Sequence, residues 1–187
     1  MQLSSNNIIH SNTIQKNEEG IILWHTNKSI VYNCIIQNNS YGIWPEFSNI
    51  NNKIFFNNFI NNTHHIYAFG SIMWTTTHNI KYTYQGNIYT NQLGNYWDNY
   101  TGIDNNNDGI GETPYGNDAK PLTQPTWNYK IYDTDKDGLN DVQEEAYGTD
   151  PANNDTDDDG LLDEDEVNVY NTDPTNSDTD GDGMPDG

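Results

Sequence analysis

Along residues 7–70, short runs of Ile, Val, Phe and Tyr alternate with Asn-rich breaks, and the pattern recurs every 21–25 residues. Ile9, Ile30 and Phe55 fall into one column, and Asn12, Asn33 and Asn58 into a second. Ile14, Ile35 and Ile60 form a third, and Gly20-Ile21, Gly42-Ile43 and His65-Ile66 a fourth. Short β-branched and aromatic runs between Asn corners predict strands and turns, not helices. No single turn holds enough apolar residues for a core of its own. Stacking solves this: equivalent residues then lie one strand spacing apart, pair in parallel ladders and bury rows of Ile. Aligned Asn side chains can bond amide to amide at corners where the backbone turns left-handed. A small Asn-rich sandwich with accidental periodicity is the competing reading.

The strings IFFNNFINNTHHIYAFGSIMW at residues 54–74 and GNYWDNYTGIDNNNDGIGETPY at residues 94–115 carry more than periodicity. They resemble the C-terminal end of the NosD-like right-handed parallel β-helix family, whose members are described as copper-binding or carbohydrate-binding. The resemblance covers about residues 7–122 and implies an all-β fold. Its last coils would be closed by an aromatic cap of Tyr96, Trp97, Tyr100 and Tyr115. A cap is physically required, because a final coil otherwise offers unpaired strand edges to other chains. With three or four coils in the chain, the solenoid is expected to be cut open at its N-terminal end. Copper transfers poorly, since such sites need converging His, Cys or Met. His10, His25, His64, His65 and His78 share no column, and Cys34 is the single cysteine. His64-His65 reads as a surface corner and Cys34 as a small buried side chain that fixes no compartment.

Charge divides the chain. Residues 1–130 carry a net −2 and residues 131–187 a net −19, which together give the −21 of the whole. The expected organisation is β-helix coils and cap over 1–120, a linker over 121–132 marked by Pro121 and Pro125, and an acidic segment over 133–187. Nucleic acid is excluded as a partner, because binding it relies on cations displacing counterions from phosphate. An anionic membrane surface is disfavoured for the same reason. No apolar run is long enough for membrane insertion, and the first residues do not read as a signal peptide.

The acidic segment has a spacing. Asp133, Asp135, Asp137, Asp141 and Glu144 occupy positions 1, 3, 5, 9 and 12 of a calcium loop, with Gly138 at 6 and the Leu139 carbonyl at 7. Asp155, Asp157, Asp159, Gly160, Leu161, Asp163 and Glu166 repeat it. Asp178, Asp180, Asp182, Gly183, Met184 and Asp186 begin a third loop that stops before position 12, which is expected of a fragment. Alternate carboxylates on a tightly curled backbone converge on one centre, and an all-oxygen shell closed by a bidentate Glu selects Ca²⁺. Each complete loop leads into a very short helix that stops at Gly148-Thr149-Asp150-Pro151 or Asn171-Thr172-Asp173-Pro174. An EF-hand or a dockerin would need longer apolar helices. The DTDxDGLxDxxE…TDP pattern instead resembles thrombospondin type 3 repeats of the bacterial and archaeal variety. That family shares ligands between neighbours, which implicates Asp150, Asn153, Asp173 and Asn176. A possible fourth loop, Asp104, Asn106, Asp108, Ile110 and Glu112 around Gly109, has Tyr115 at position 12.

These readings point to a calcium-binding structural or adhesive protein outside the cell or at its surface, with no catalytic residues. Calcium would order an acidic repeat spacer joined to a β-helix, and glycans or neighbouring surface proteins are the expected partners. Sequons at Asn27, Asn38, Asn61, Asn99 and Asn154 fit a glycosylated surface protein. Two alternatives are a carbohydrate-binding or polysaccharide-degrading β-helix fragment and a dockerin-like interaction module. Hydrolysis needs two facing carboxylates, and before Asp98 the coils offer Glu18, Glu19 and Glu46, with no Arg anywhere.

Overall fold

Left-handed corners set the backbone. Asn6, Ser11 and Lys16 have positive φ, as do Lys28, Asn33 and Asn38 one coil on, and Asn51, Phe56 and Asn61 in the next. The computed structural model describes residues 2–3, 5–45, 50–67 and 71–187; Glu46 lies outside them. Between the corners run short strands: β1 (Gln2–Leu3), β2 (Ile8–His10), β3 (Thr13–Gln15), β4 (Glu19–Leu23), β5 (Ile30–Tyr32), β6 (Ile35–Gln37) and β7 (Tyr41–Pro45). β8 (Asn52–Phe55), β9 (Asn58–Ile60), β10 (His64–Ile66), β11 (Ile72–Met73) and β14 (Tyr96–Trp97) complete the coils. They stack into three parallel sheets, ordered β1-β4-β7-β10, β2-β5-β8-β11 and β3-β6-β9-β14. The fold is a parallel β-helix.

The fourth sequence column holds, with Ile21 opposite Ile43 and Ile43 opposite Ile66. The other three slip by a residue. Ile9 pairs with Val31 and Val31 with Ile54, so Ile30 and Phe55 fall outside that column. Ile14 pairs with Ile36 and Ile36 with Phe59, so Ile35 and Ile60 fall outside that column. Asn33 lies over Ser11, and Asn58 pairs with Ile35, so Asn12, Asn33 and Asn58 belong to three columns. Because side chains alternate faces, a slip of one residue exchanges inside for outside, and burial selects the observed register: Val31, Ile36, Ile54 and Phe59 are fully buried.

The amide ladders form one residue past each corner. The Asn39 Oδ1 accepts from the Asn17 backbone N–H at 3.0 Å and the Asn62 Oδ1 from that of Asn39 at 3.0 Å. In a second column Cys34, Asn57, Asn95 and Asp118 follow one another, each backbone N–H donating to the next side chain at 2.8–3.1 Å. The Nδ2 groups donate back to main-chain carbonyls of the coil before, as Asn57 does to Val31 at 2.9 Å. Each bond satisfies a buried polar group that parallel pairing leaves over.

Of the four expected cap aromatics, Trp97, Tyr100 and Tyr115 gather in one cluster, while Tyr96 packs against another. Trp97, fully buried, lies 4.2 Å from Phe59 and 4.7 Å from Tyr115 between ring centroids. Its indole N–H donates to Asp118 at 2.9 Å. Burial raises the Asp118 carboxyl to about 6 against the donors that hold it.

An antiparallel hairpin, β12 (Ile80–Tyr84) and β13 (Asn87–Asn91), interrupts the last coil between β11 and β14, and β15 (Tyr129–Ile131) pairs with β12. Gln85 and Gly86, both at positive φ, make the two-residue turn that suits a hairpin's twist. Residues 121–132, read from sequence as a linker, are packed: Leu122, Thr126 and Tyr129 are buried, and Thr126 bonds Asn58 through both backbone and side chain. A second apolar cluster joins Tyr32, Phe55 and Phe56 of the coils to Tyr82 and Tyr84 of the hairpin and to Val142 and Ala146 beyond the strands.

Candidate metal centre

The first loop curls because its own carboxylates accept its backbone N–H groups. Asp133 Oδ1 takes the N–H of Lys136 at 2.6 Å, Asp135 that of Asp137 at 3.2 Å, and Asp137 that of Leu139 at 2.7 Å. In the second loop Asp155 accepts from Asp159 and Gly160, Asp157 from Asp159, and Asp159 from Leu161. Asp178, Asp180 and Asp182 repeat this in the third. Gly138, Gly160 and Gly183 stand at φ of 120°, 105° and 91°, a region that favours glycine at the sixth position.

Each complete loop then turns into a helix. Asn140 caps α1 (Asp141–Tyr147), accepting from Val142 and Gln143, while Gln143 reaches back to the Asn140 backbone. Gly148, at φ 87°, ends it. The second helix, α2 (Asp163–Asp165), widens over Glu166–Tyr170 and stops at Asn171, φ 57°. These helices carry Glu144 and Glu166 inward, and both are fully buried.

Carboxylate oxygens converge in four groups: Asp133, Asp135 and Asp137; Asp155, Asp157 and Asp159; Asp159, Glu166 and Asp186; and Asp178, Asp180 and Asp182, each within 4.8 Å. Among the described residues six buried side-chain oxygens lack a hydrogen-bond partner, and five belong to the first two loops, on Asp135, Glu144, Asp157, Asp159 and Glu166. Burial, then the negative charges of Asp135 and Asp137, raises the Glu144 carboxyl to about 8. Burial with Asp157 and Asp159 raises Glu166 to about 7. Asp135, Asp137, Asp157 and Asp163 are raised in the same sense, chiefly by burial. Carboxylates held together without positive charge are the condition a hard divalent cation relieves.

The acids expected at position 9 also brace the loops. Both oxygens of Asp141 are engaged by Thr134, through its N–H and hydroxyl at 3.0 Å each, and Asp163 holds Thr156 in the same way at 2.8 Å. Asp186, assigned by spacing to the third loop, stands with Asp159 and Glu166 of the second. Asp150 and Asp173 brace the turns that follow, accepting from Ala152 and Thr175, while Asn153 and Asn176 donate to the carbonyls of Asp155 and Asp178. Around Gly109 the loop curls as the others do, Asp104 accepting from Asp108 and Gly109. There amides replace further carboxylates: Asn91 and Asn106 donate to Asp108, and Asn105 donates to Glu112. Ile110 is buried, and Tyr115 belongs to the Trp97 stack.

The sequence reading missed Glu145. Beside Glu144 but facing the coils, it is fully buried and takes the Lys53 ammonium at 2.7 Å, the Thr77 hydroxyl and the His78 backbone N–H. These donors hold its carboxyl below the ordinary range despite burial. The first repeat is thereby clamped to the solenoid. A doubled Glu, one more than the loop requires, is the signal in the sequence.

Compared with protein families, residues 1–102 match NosD, described as periplasmic copper-binding protein, over more than half of the chain. The chain belongs to the NosD family. Residues 133–154 and 155–177 match the bacterial TSP3 repeat. No curated protein and no solved structure matches the chain. The copper in the NosD description lacks a donor set here, since among the described residues every group of three metal-capable side chains is all-carboxylate. The Cys34 thiol is buried, pushed up to about 11, and faces the Tyr32 carbonyl. His65, expected at a surface corner, is buried against Asp98 at 2.9 Å, while His64 stacks on Tyr41. No helix among the described residues is long and apolar enough to cross a membrane.

Proposed function

We propose that this NosD-family chain is a calcium-binding structural or adhesive protein of the extracellular space or cell surface, in which Ca²⁺ orders an acidic spacer fixed to a β-helix. The observation that carries the reading is the pair Glu144 and Glu166: each is fully buried with one oxygen unpartnered, and each carboxyl is raised by that burial and then by the Asp residues beside it. Asp133, Asp135, Asp137 and Glu144 would hold one ion with the Leu139 carbonyl. Asp155, Asp157, Asp159 and Glu166 would hold another with the Leu161 carbonyl, and Asp186 stands within reach of that second site. Bound there, Ca²⁺ supplies charge neutralisation and a fixed geometry that the loops lack on their own. Affinities of extracellular modules, with Kd on the order of 10⁻⁴ to 10⁻³ M, suit such a role. The matched families are binding and repeat types, which favours a scaffold over an enzyme.

Calorimetric titration of the whole chain with CaCl₂ and with MgCl₂, alongside hydrogen exchange of residues 131–187, tests the proposal. Expected are calcium heats that magnesium does not reproduce and slower exchange over both loops. Identical exchange in calcium and in chelator would overturn it.

A further inference from the structure

Glu144 and Glu145 are neighbours on α1 with different surroundings. Successive residues of an α-helix stand about 100° apart around its axis, so Glu144 turns toward Asp135 and Asp137 while Glu145 turns onto the solenoid. The anchors of Glu145 are dense. The Lys53 Nζ, on β8, lies 2.7 Å from its Oε1 and 3.4 Å from its backbone carbonyl. Between β11 and β12, the Thr77 hydroxyl donates to both carboxylate oxygens at 2.8 and 3.0 Å, and the His78 backbone N–H donates to Oε2 at 2.9 Å. The start of α1 is held from the same side: Asp141 accepts from the Lys81 N–H at 3.2 Å and donates its own N–H to the Tyr132 carbonyl at 2.9 Å. Val142 and Ala146 pack into the apolar cluster of coils and hairpin. A helix of seven residues is too short to be stable alone. These contacts fix its rotation, and with it the place of the Glu144 carboxylate.

The second repeat has the loop without the anchor. Val167 stands one residue past the closing Glu166, where the first repeat has Glu145. No side-chain bond caps α2, and from Asp163 to Tyr170 the buried residues are two acids, Asp163 and Glu166. Val169 and Tyr170 are exposed.

We propose that Lys53 of the β-helix is a positioning residue for the first calcium site: acting through Glu145, it presets the Glu144 carboxylate, so that the first loop takes calcium at lower concentration than the second. The proposal rests on the calcium reading above. Charge alone predicts the opposite sign. Lys53 is a positive charge held on the residue next to Glu144, and removing it would strengthen the attraction of the site for a cation. Positioning predicts weakening, because a carboxylate that must be ordered during binding lowers affinity.

Hydrogen exchange of the whole chain in a CaCl₂ series, read separately over residues 133–144 and 155–166, gives a calcium midpoint for each loop, with calorimetry following total binding. In the wild type the first midpoint is expected about tenfold or more below the second. Lys53→Met is expected to raise the first by about tenfold or more, as loss of an outer-shell partner does, and the second by far less. Since that variant strands a buried carboxylate, the double variant Lys53→Met, Glu145→Gln is measured beside it. It is expected to recover most of the folding stability while its first midpoint stays above that of the wild type. Equal midpoints in the wild type, a first midpoint unmoved or lowered in the double variant, or both midpoints rising together would overturn the role of Lys53 and leave calcium binding standing. No calcium heat and no protection of either loop would overturn the calcium reading itself, and the proposal with it.

Discussion

Replacing Glu144 by Gln should stabilise the calcium-free protein and destabilise the calcium-bound one. In the free protein the buried Glu144 carboxyl is raised from 4.5 to about 8, by burial and then by Asp135 and Asp137. At about 1.4 kcal/mol per pH unit, that gap corresponds to about 4–5 kcal/mol between an ionised and a protonated Glu144. A raised carboxyl favours the folded state fully below the unfolded value. The contribution is lost as pH climbs from about 4.5 to 8, because the unfolded chain ionises first. Glutamine never ionises, so Glu144→Gln should hold its stability across that interval. With calcium the order reverses, since each ion at 100 times its Kd adds about 2.7 kcal/mol and the variant lacks the closing carboxylate. The assay is urea unfolding at pH 5 to 9 in EGTA and in CaCl₂, with hydrogen exchange of residues 139–149 as the local readout. Wild type losing no stability between pH 5 and 8 in EGTA would refute the reasoning, as would equal stability of variant and wild type in EGTA at pH 8.

Three further outcomes are expected. Trp97→Ala removes the fully buried ring between Phe59 and Tyr115 and should cost about 3–5 kcal/mol in urea unfolding. Lys53→Met strands the buried Glu145 carboxylate and should cost about 3–5 kcal/mol, most of it recovered in the double variant Lys53→Met, Glu145→Gln, which a double-mutant cycle measures. Asn39→Ala deprives the Asn17 N–H of its acceptor and the Ile14 carbonyl of its donor. It should cost about 1–3 kcal/mol and speed hydrogen exchange in the first two coils.

Much of the loop chemistry was legible because it is local. Positions 1, 3 and 5 with a glycine at 6 lie within one curl of backbone, so Asp133, Asp135 and Asp137 converge whatever surrounds them. The helix stops at Gly148 and Asn171 followed equally from residues that accept a left-handed backbone. The link between repeats escaped that logic, since Asp186 of the third repeat stands with Asp159 and Glu166 of the second. The hairpin carried a signal, the alternation of Tyr82, Thr83 and Tyr84 before Gln85-Gly86. A solenoid period searched in 21–25 residue steps passes over such an insertion.

What the sequence alone determined is the repeat, three of the four cap aromatics and the spacing of acids, because each is set by short-range geometry or by composition. Tertiary structure alone decided the register of three columns, the packing of residues 121–132 and the docking of α1 through Glu145 on Lys53. Those depend on contacts between residues far apart in the chain, where a slip of a single position exchanges buried and exposed faces. Only the energy of the assembled core distinguishes the two.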